Sequence, residues 1–575
     1  MSRAPLFRTF FDDRLPDHPT AAPIERIVHA YLEDSPIDGR LIEKAIGLFR
    51  FTDAPTPWDV INEWRQTVAL LLIIRSKDLL QPCRHLLLER VRLLRRHVLW
   101  REFQLLTAYQ QLTDLLLGNS FQPKEFFQLS SGACPLEAGN HWSWGQIPHP
   151  IFHAELGILL ILFAKLSGDL KPDLLPMNGS DSNSFPLEAR TPGSENKGVI
   201  LENMTPLFSE PGVRASRGKE FESDPFIGSK SGLNYLKIAE RLADWQLNTV
   251  DRAFVPFVGL FSHEGTVAEN SLILHNFLLF DSVSKAANRT DLAYAADKLH
   301  EHFCQLQRQR ENKIPYYFLI LESWLTDNYP PINSTTLHLP SKINDSNFSL
   351  VGNRQEDISS VATLFGGGTG MGCLHYQDVH IVNYGPQHLP LGDCRGFGLD
   401  GGTFSLKSSS QIIETTDMFF KVAGISKLAS RPKERQSAAL FRQGEHSGFW
   451  IDAKQQFQER RLCLELTFNG FLRLSSVAFV FFIKASSCLM GGKTLVKPRS
   501  FERYRGKAAP LEFHGKNGVI LLEALHEGYQ EVQVIPLGGG ENFWGADFLT
   551  AYVCSDEQRH YCWCLTPDCA PNRHL

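Results

Sequence analysis

The spacing of apolar residues along this chain changes near residue 350, and that change most restricts the folds open to it. From about residue 20 to that point, apolar side chains recur every three or four positions, as in PIERIVHAYLED and SLILHNFLLFDSVSKA, which is typical of helices that bury one face. Beyond it, stretches such as CLHYQDVHIVNY and YQEVQVIPL read as strands. Because no helical pattern interrupts the strands, the sequence predicts segregated helices and an antiparallel β part.

This two-part pattern predicts an α+β multidomain chain. We expect a helical domain over residues 1–345, made of helical hairpins compatible with an α/α toroid, followed by an antiparallel β-sandwich over residues 346–575. Within the helical domain, residues 171–230 are rich in proline, glycine, serine and asparagine. Such a composition cannot bury a core of its own, so we expect a long, disordered surface insertion there.

Composition narrows the classes of function. The chain has 575 residues, 43% of them hydrophobic, and a formal net charge of −5, so no overall positive field favours a nucleic-acid partner. No uncharged apolar run approaches the ~18 residues of a membrane-spanning helix. The first residues lack the apolar stretch of a secretory signal. We therefore expect a cytoplasmic protein, with leaderless export as the alternative; the sequence predicts no particular oligomeric state.

Eleven cysteines are scattered along the chain, an odd number that favours a reducing compartment over a disulfide framework. Four of them lie close together near residue 560, but they lack paired C-x-x-C spacing. This cluster favours buried or rim thiols over a zinc site. Its members, with a neighbouring histidine, are Cys554, Cys562, Cys564, Cys569 and His560.

Two segments combine polar and aromatic side chains with an unusually apolar helix. In the first, Asn140, His141, Trp142 and Trp144 precede the apolar run LGILLILFAKL. The second, the stretch from Glu269 to His275, opens a helical pattern that is apolar nearly all round. Polar groups buried beside such helices need partners or a cleft. They either cap and pack the helices or form two facing walls of a cleft, and we expect the cleft.

The second segment resembles a motif of a known family. The string GTVAENSLILHNFLLFD is similar to a helix of the heparinase II/III-like and alginate-lyase-like polysaccharide lyases, in which a glycine precedes E-x-S-x-x-Y-H and an acidic residue follows. An Asn-His pair before an apolar helix occurs earlier in those chains, as Asn140-His141 does here, and helices precede a β-sandwich in both. The matching residues of the string are Gly265, Glu269, Ser271, His275 and Asp281.

The resemblance implies a lyase that acts on uronate-containing polysaccharides. Such an enzyme removes a proton next to a sugar carboxylate, so the carboxylate charge must first be neutralised, and a base and an acid must flank the sugar. By resemblance, Asn140 neutralises the carboxylate and His141 serves as base or second neutralising group. Trp142 and Trp144 would stack on sugar rings. Glu269 and His275 complete the catalytic set that the resemblance implies.

One position departs from the family pattern. The family has a proton-transferring tyrosine just before the histidine, and Leu274 stands there in this chain. The strand HYQDVHIVNY offers replacements that would also contact substrate, among them Tyr376 and Tyr384; its histidines, His375 and His380, are further candidates. The histidine- and aspartate-containing metal motif of the family is not evident, so we assign no metal and no cofactor.

The sequence therefore predicts binding, and eliminative cleavage, of an acidic polysaccharide between the two domains. One alternative is a non-catalytic glycan-binding or structural protein of the same fold. Another is a toroid glycoside hydrolase, which needs two carboxylates across the cleft; Glu155 and Glu269 are candidates without a recognisable pairing.

Overall fold

The structure is a computed structural model. It describes residues 23–48, 57–96, 104–119, 143–144, 147–148, 150–167, 235–259, 269–309, 314–326, 332–345, 350–363, 371–388, 403–404, 409–416, 419–429, 446–470, 477–492, 494–498, 503–525, 531–537 and 542–568. The predicted insertion at 171–230 lies outside these ranges and stays a prediction.

Helices account for nearly all regular structure up to residue 326 in these ranges. They are α1 (Pro23–Leu32), α2 (Gly39–Gly47), α3 (Pro57–Ser76), α4 (Leu80–Arg96), α5 (Gln104–Leu117), α6 (Pro150–Ser167), α7 (Tyr235–Gln246), α8 (Glu269–Ala287), α9 (Thr290–Gln309) and α10 (Tyr316–Thr326). Only the short strands β1 (Ser143–Trp144) and β2 (Ile147–Pro148) interrupt them.

Beyond residue 326 the described residues form strands and one short 3-10 helix, Asn542–Gly545. The strands are β3 (Lys342–Asp345), β4 (Leu350–Arg354), β5 (Ile358–Thr363), β6 (Gly372–Tyr376), β7 (Val379–His388), β8 (Thr403–Phe404), β9 (Ser409–Thr415), β10 (Phe420–Ala429), β11 (His446–Gln458), β12 (Arg461–Asn469), β13 (Val477–Lys484), β14 (Ser487–Met490), β15 (Thr494–Val496), β16 (Tyr504–Gly506), β17 (Leu511–His514), β18 (Val519–Ala524), β19 (Glu531–Pro536), β20 (Phe548–Val553) and β21 (His560–Asp568).

These strands form two large antiparallel sheets. The first has nine strands in the order β16-β19-β20-β13-β7-β6-β5-β4-β3. The second has ten, in the order β15-β14-β17-β18-β21-β12-β11-β10-β8, with β9 also pairing with β10. Strands such as β12 alternate buried and partly exposed residues, because successive side chains of a strand point to opposite faces. At β12 the second sheet thus has an apolar inner face and a more polar outer face, whereas central strands of the first sheet, such as β6 and β13, are buried on both faces.

The buried apolar side chains form two main cores. One is built from the helices, in which α6 and α8 are buried on almost every side. The other contains side chains from both sheets and also Ile151, Val258 and Leu272 from the helical part. A small third cluster, which includes Trp245 and Val361, also joins the helical part to strands. The helices and sheets are thus packed against each other through apolar side chains.

Arg354 of β4 connects the helical part of the chain to the sheets through hydrogen bonds. Its guanidinium is fully buried and donates to the backbone carbonyls of Leu247 at 2.5 Å, Val250 at 2.9 Å and Pro340 at 3.2 Å. A guanidinium offers five N–H donors in a rigid fork, so this one side chain binds two carbonyls that follow α7 and one that precedes β3. The junction of helices and sheets is therefore held at a defined position.

The mixed α+β architecture predicted from the sequence is confirmed, with helices first and antiparallel strands after. A closed α/α toroid, a β-sandwich and the boundary at residues 345/346 stay predictions. Within the described ranges, no helix combines the length and the apolar character needed to cross a membrane.

Candidate functional site

Glu269, a predicted site residue, lies in the first turn of α8 where the helices meet the sheets. Its carboxylate accepts a hydrogen bond from Lys484 Nζ of β13 at 2.7 Å and lies 3.2 Å from His302 Nε2 of α9. Burial alone would raise the pKa of Glu269, but the charges and hydrogen bonds of Lys484 and His302 hold that pKa well below its ordinary value. Glu269 is therefore a buried carboxylate that stays charged.

Asp251, His375 and His380 lie together close by. His375 is the penultimate residue of β6 and His380 is the second residue of β7, and the short turn between these strands makes the two histidines cross-strand partners. Their rings stack with centroids 4.0 Å apart and 12° between planes. His375 Nδ1 lies 2.9 Å from Asp251 Oδ2, and the other oxygen of Asp251 accepts from the backbone N–H groups of residues 253 and 255. All three side chains are buried.

These two groups of residues form one electrostatic unit. Burial, then the neighbouring His375 and Lys484, lower the pKa of His380 well below its usual value, and Glu269 opposes the shift. We call the six residues the junction site: Asp251, Glu269, His302, His375, His380 and Lys484. Lys484 and His302 keep 20% and 17% of their side-chain surface exposed, so the site is reached from solvent on their side.

The donor set of the junction site fits a transition-metal ion. One ligand atom from each of Asp251, His375 and His380 lies within 4.8 Å of the other two. Zinc bonds of about 2.0–2.2 Å place tetrahedral ligand atoms about 3.4 Å apart, so small side-chain rotations bring the three together. Metal ligation requires neutral imidazole, and the lowered pKa of His380 meets that requirement at neutral pH.

His275, the other predicted catalytic residue on α8, lies in a different cluster inside the helical core. Arg65 of α3 donates two hydrogen bonds to Glu155 of α6, at 2.6 and 2.5 Å, and the Tyr109 hydroxyl donates to the same carboxylate. The Arg65 guanidinium also lies 4.9 Å from the centre of the Tyr317 ring, and the Tyr317 hydroxyl contacts His275. These five side chains, the core cluster, are all buried.

The hydrogen bonds of His275 determine its tautomer. Its Nδ1 lies 2.6 Å from the carbonyl oxygen of Ser271, which can only accept, so Nδ1 carries the proton. Nε2 of the neutral ring is then an acceptor, and the Tyr317 hydroxyl, 2.7 Å away, donates to it. Burial, and then the charge of Arg65, lower the pKa of His275 to about 4, although Glu155 opposes the shift.

Tyr317 and His275 form a buried hydrogen-bonded pair. Loss of a proton from the tyrosine to Nε2 would give a phenolate beside the Arg65 guanidinium. Arg65 favours that charge, but burial raises the pKa of Tyr317 in the resting state. The hydroxyl that contacts His275 comes from Tyr317 of α10, 42 residues after His275 along the chain.

The structure places the remaining predicted site residues as follows. Asn140, His141 and Trp142 lie outside the described residues, as does the side chain of Trp144, whose backbone is in β1. Tyr376 and Tyr384 are fully buried in the core of the sheets, where the Tyr384 hydroxyl donates to Gln455 at 2.7 Å. Of the predicted residues, Glu269 belongs to the junction site and His275 to the core cluster.

The sequence did not predict most of the residues that contact Glu269 in the junction site or His275 in the core cluster. It gave no role to Arg65, Tyr109, Asp251, Lys484 or Tyr317. One signal was present: His375 and His380 flank a stretch short enough to be a tight turn, and such a hairpin places its flanking residues side by side.

Comparisons with known proteins do not assign the chain to a family. No family model matches it, and no curated protein matches it significantly. Among solved structures, a protein of glycosyl hydrolase family 38 from Enterococcus faecalis matches 42% of this chain with 9% identity and a TM-score of 0.26. The match covers 32% of that protein's length. A likeness this low carries no argument about function.

Proposed function

We propose that the junction site binds a divalent transition-metal ion and, with it, the carboxylate of an acidic saccharide. The observation that carries this proposal is the grouping of Asp251, His375 and His380, whose ligand atoms lie within 4.8 Å of each other. Three protein ligands are the pattern of metal sites that keep a position open for an exogenous ligand. The bound ion would supply positive charge for an anionic group at that position.

Charge explains why the ligand is an anion. The junction site holds two carboxylates, Asp251 and Glu269, and one ammonium, Lys484. A divalent ion adds two positive charges to these groups, so the metal-loaded site attracts an anion more strongly than the metal-free site does. The sequence resemblance at Glu269 and His275 supports a uronate as that anion.

The metal-binding part of the proposal is tested by titrating the chelator-treated protein with Zn²⁺ and with Mn²⁺ in a calorimeter. We expect one ion per chain, and at least a tenfold weaker affinity after His380→Gln. His300→Gln on α9 is the matched control, because His300 is not one of the three ligands, and it should bind metal as the wild type does. Equal affinity in the wild type and His380→Gln would overturn the metal site.

The saccharide-binding part of the proposal is tested with oligouronates and neutral oligosaccharides of equal length. We expect the metal-loaded protein to bind only the oligouronate, and the chelator-treated protein to bind neither. Lys484→Met should weaken oligouronate binding less than metal removal does, because it removes one charge rather than two. Metal-independent binding, or equal binding of the neutral sugar, would contradict the proposal while leaving the metal site intact.

A second candidate function is eliminative cleavage of that saccharide. The resemblance at Glu269 and His275 supports it, and the Tyr317 hydroxyl that donates to His275 would stand in for the tyrosine that the family has at the position of Leu274. The test follows the ultraviolet absorbance of the unsaturated uronate that elimination creates. Tyr317→Phe removes the exchangeable proton while keeping the ring, so we expect it to abolish this signal and preserve binding. If the wild type produces no absorbance from alginate, heparin, chondroitin or pectate, the protein binds without cleaving.

A further inference from the structure

Two cysteines face each other on neighbouring strands of the second sheet. In the antiparallel pair β12 and β21, Cys463 is the direct cross-strand partner of Cys564. The alternate residues on these strands, among them Leu464 and Trp563, are fully buried in the core between the sheets. Since neighbouring residues on a strand point to opposite faces, both thiols lie on the outer face. Cys463 keeps part of its surface exposed and Cys564 is buried behind it.

We propose that Cys463 and Cys564 form a reversible cross-strand disulfide, with Cys463 as the residue that reacts first with a peroxide. Directly opposed residues of an antiparallel pair have Cα atoms about 4.5–5.5 Å apart. A disulfide bridges Cα separations of about 4.4–6.8 Å, so the bond needs no movement of the strands.

The two thiols differ in a way that assigns their roles. A hydrogen bond from the Cys564 thiol lowers the pKa of Cys463 to about 7, an effect that the charge of Arg461 reinforces and burial and Glu465 oppose. The same hydrogen bond raises the pKa of Cys564. A thiolate is the reactive form of cysteine, and Cys463 is also the more exposed of the two thiols, so Cys463 attacks and Cys564 resolves.

Other cysteines in the described ranges are either less reactive than this pair or too far from Cys463 to form a disulfide with it. Burial raises the pKa of the thiols of Cys373, Cys488 and Cys554, which keeps them protonated and unreactive. Cys562 lies two positions from Cys564 on the same face of β21, opposite Glu465. It is therefore diagonal to Cys463, at about 7–8 Å between Cα atoms, beyond the usual reach of a disulfide.

The reaction balances with hydrogen peroxide as oxidant. The Cys463 thiolate attacks one peroxide oxygen, the O–O bond breaks, and the departing hydroxide takes a proton to become water. Cys463 is now a sulfenic acid. The Cys564 sulfur attacks the Cys463 sulfur, the S–S bond forms, and the sulfenic hydroxyl leaves as water with the Cys564 proton. Two thiols are oxidised by two electrons and one peroxide is reduced to two waters.

The test treats the full chain with hydrogen peroxide, blocks free thiols, and maps disulfides by mass spectrometry of unreduced peptides. We expect a Cys463–Cys564 crosslink that dithiothreitol reverses, formed at least tenfold faster than oxidation of the partly exposed Cys304. In Cys564→Ser, Cys463 should instead accumulate as a sulfenic acid that dimedone traps.

Serine matches cysteine in size, and circular dichroism verifies that each variant folds. Cys562→Ser is the matched control on the same strand face and should leave the crosslink unchanged. A crosslink from Cys463 to Cys562, or a Cys463 that stays reduced while Cys304 is oxidised, would overturn the proposal.

Discussion

Glu155 shows how much one buried charge contributes to the helical core. Its carboxylate is fully buried and paired with Arg65, so Glu155→Gln leaves the Arg65 charge buried without its counter-ion. We expect the variant to lose about 3–5 kcal/mol of unfolding free energy, measured by urea denaturation. The matched control is Glu465→Gln, whose pair with Lys454 is 47% and 60% exposed and should contribute under about 1 kcal/mol. Equal losses in the two variants would refute a buried-charge effect.

His153 of α6 gives the protein a defined response to acid. Burial lowers the pKa of His153 to about 3, from 6.5, whereas the unfolded chain binds this proton near pH 6.5. Stability from this residue is therefore complete above pH 6.5 and is lost as the pH falls towards 3. Between pH 6 and 4 we expect the wild type to lose about 1.4 kcal/mol per pH unit more than His153→Leu, measured by denaturation at each pH. The exposed His85, changed to leucine, is the control; parallel curves for His153→Leu and the wild type would contradict this origin.

Individual site residues were only half predictable from the sequence. The apolar surroundings of Glu269 and His275 within one helix indicate that both need polar partners, because a buried polar group without one is costly. The partners themselves come from 33 to 215 residues away along the chain. No local pattern marks Lys484 or Tyr317, since their roles arise only when β13 and α10 pack beside α8.

Among the connecting elements, the segment after α7 approaches β7 so closely that only glycine fits. A Cβ atom on Gly259 would overlap the backbone carbonyl of Val382 and crowd the Cβ of Asn383, and backbone atoms cannot rotate away. We expect Gly259→Ala to cost about 1–3 kcal/mol and to weaken metal binding at the nearby junction site. Gly39→Ala at the start of α2 meets nothing within 4 Å and should be neutral or slightly stabilising. Thermal denaturation compares the two; similar melting temperatures would contradict the close approach.

Helices and strands could be predicted from the sequence where the periodic pattern of apolar residues extended over many positions. The apolar stretches in α6 and α8 and the alternation in β12 are each read from local spacing. Short strands such as β15 and β16, three residues each, carry no period to detect. The order of strands in each sheet could not be predicted from the sequence either, because it depends on pairing between distant segments rather than on local spacing.

At the scale of the whole molecule, Arg354 couples the unfolding of the helices to that of the sheets. Arg354→Met removes three hydrogen bonds to carbonyls at the junction and leaves those acceptors buried. Hydrogen bonds from a charged donor contribute about 1.5–3 kcal/mol each, so we expect a loss of about 3 kcal/mol or more. We also expect two separate transitions in thermal scans where the wild type shows one. Arg505→Met, at a 62% exposed side chain, is the control. A single, unshifted transition in Arg354→Met would refute the coupling.

The position of β21 has a consequence for how the protein is made. It is the last described strand along the chain, yet it lies inside the second sheet, between β12 and β18. A ribosome releases β12 about a hundred residues before β21, so during synthesis both neighbours of the missing strand present unpaired edges. Unpaired edges are sites of aggregation. The second sheet can close only when the growing chain has delivered residues 560–568, and a holding chaperone during that interval would raise the yield of folded protein.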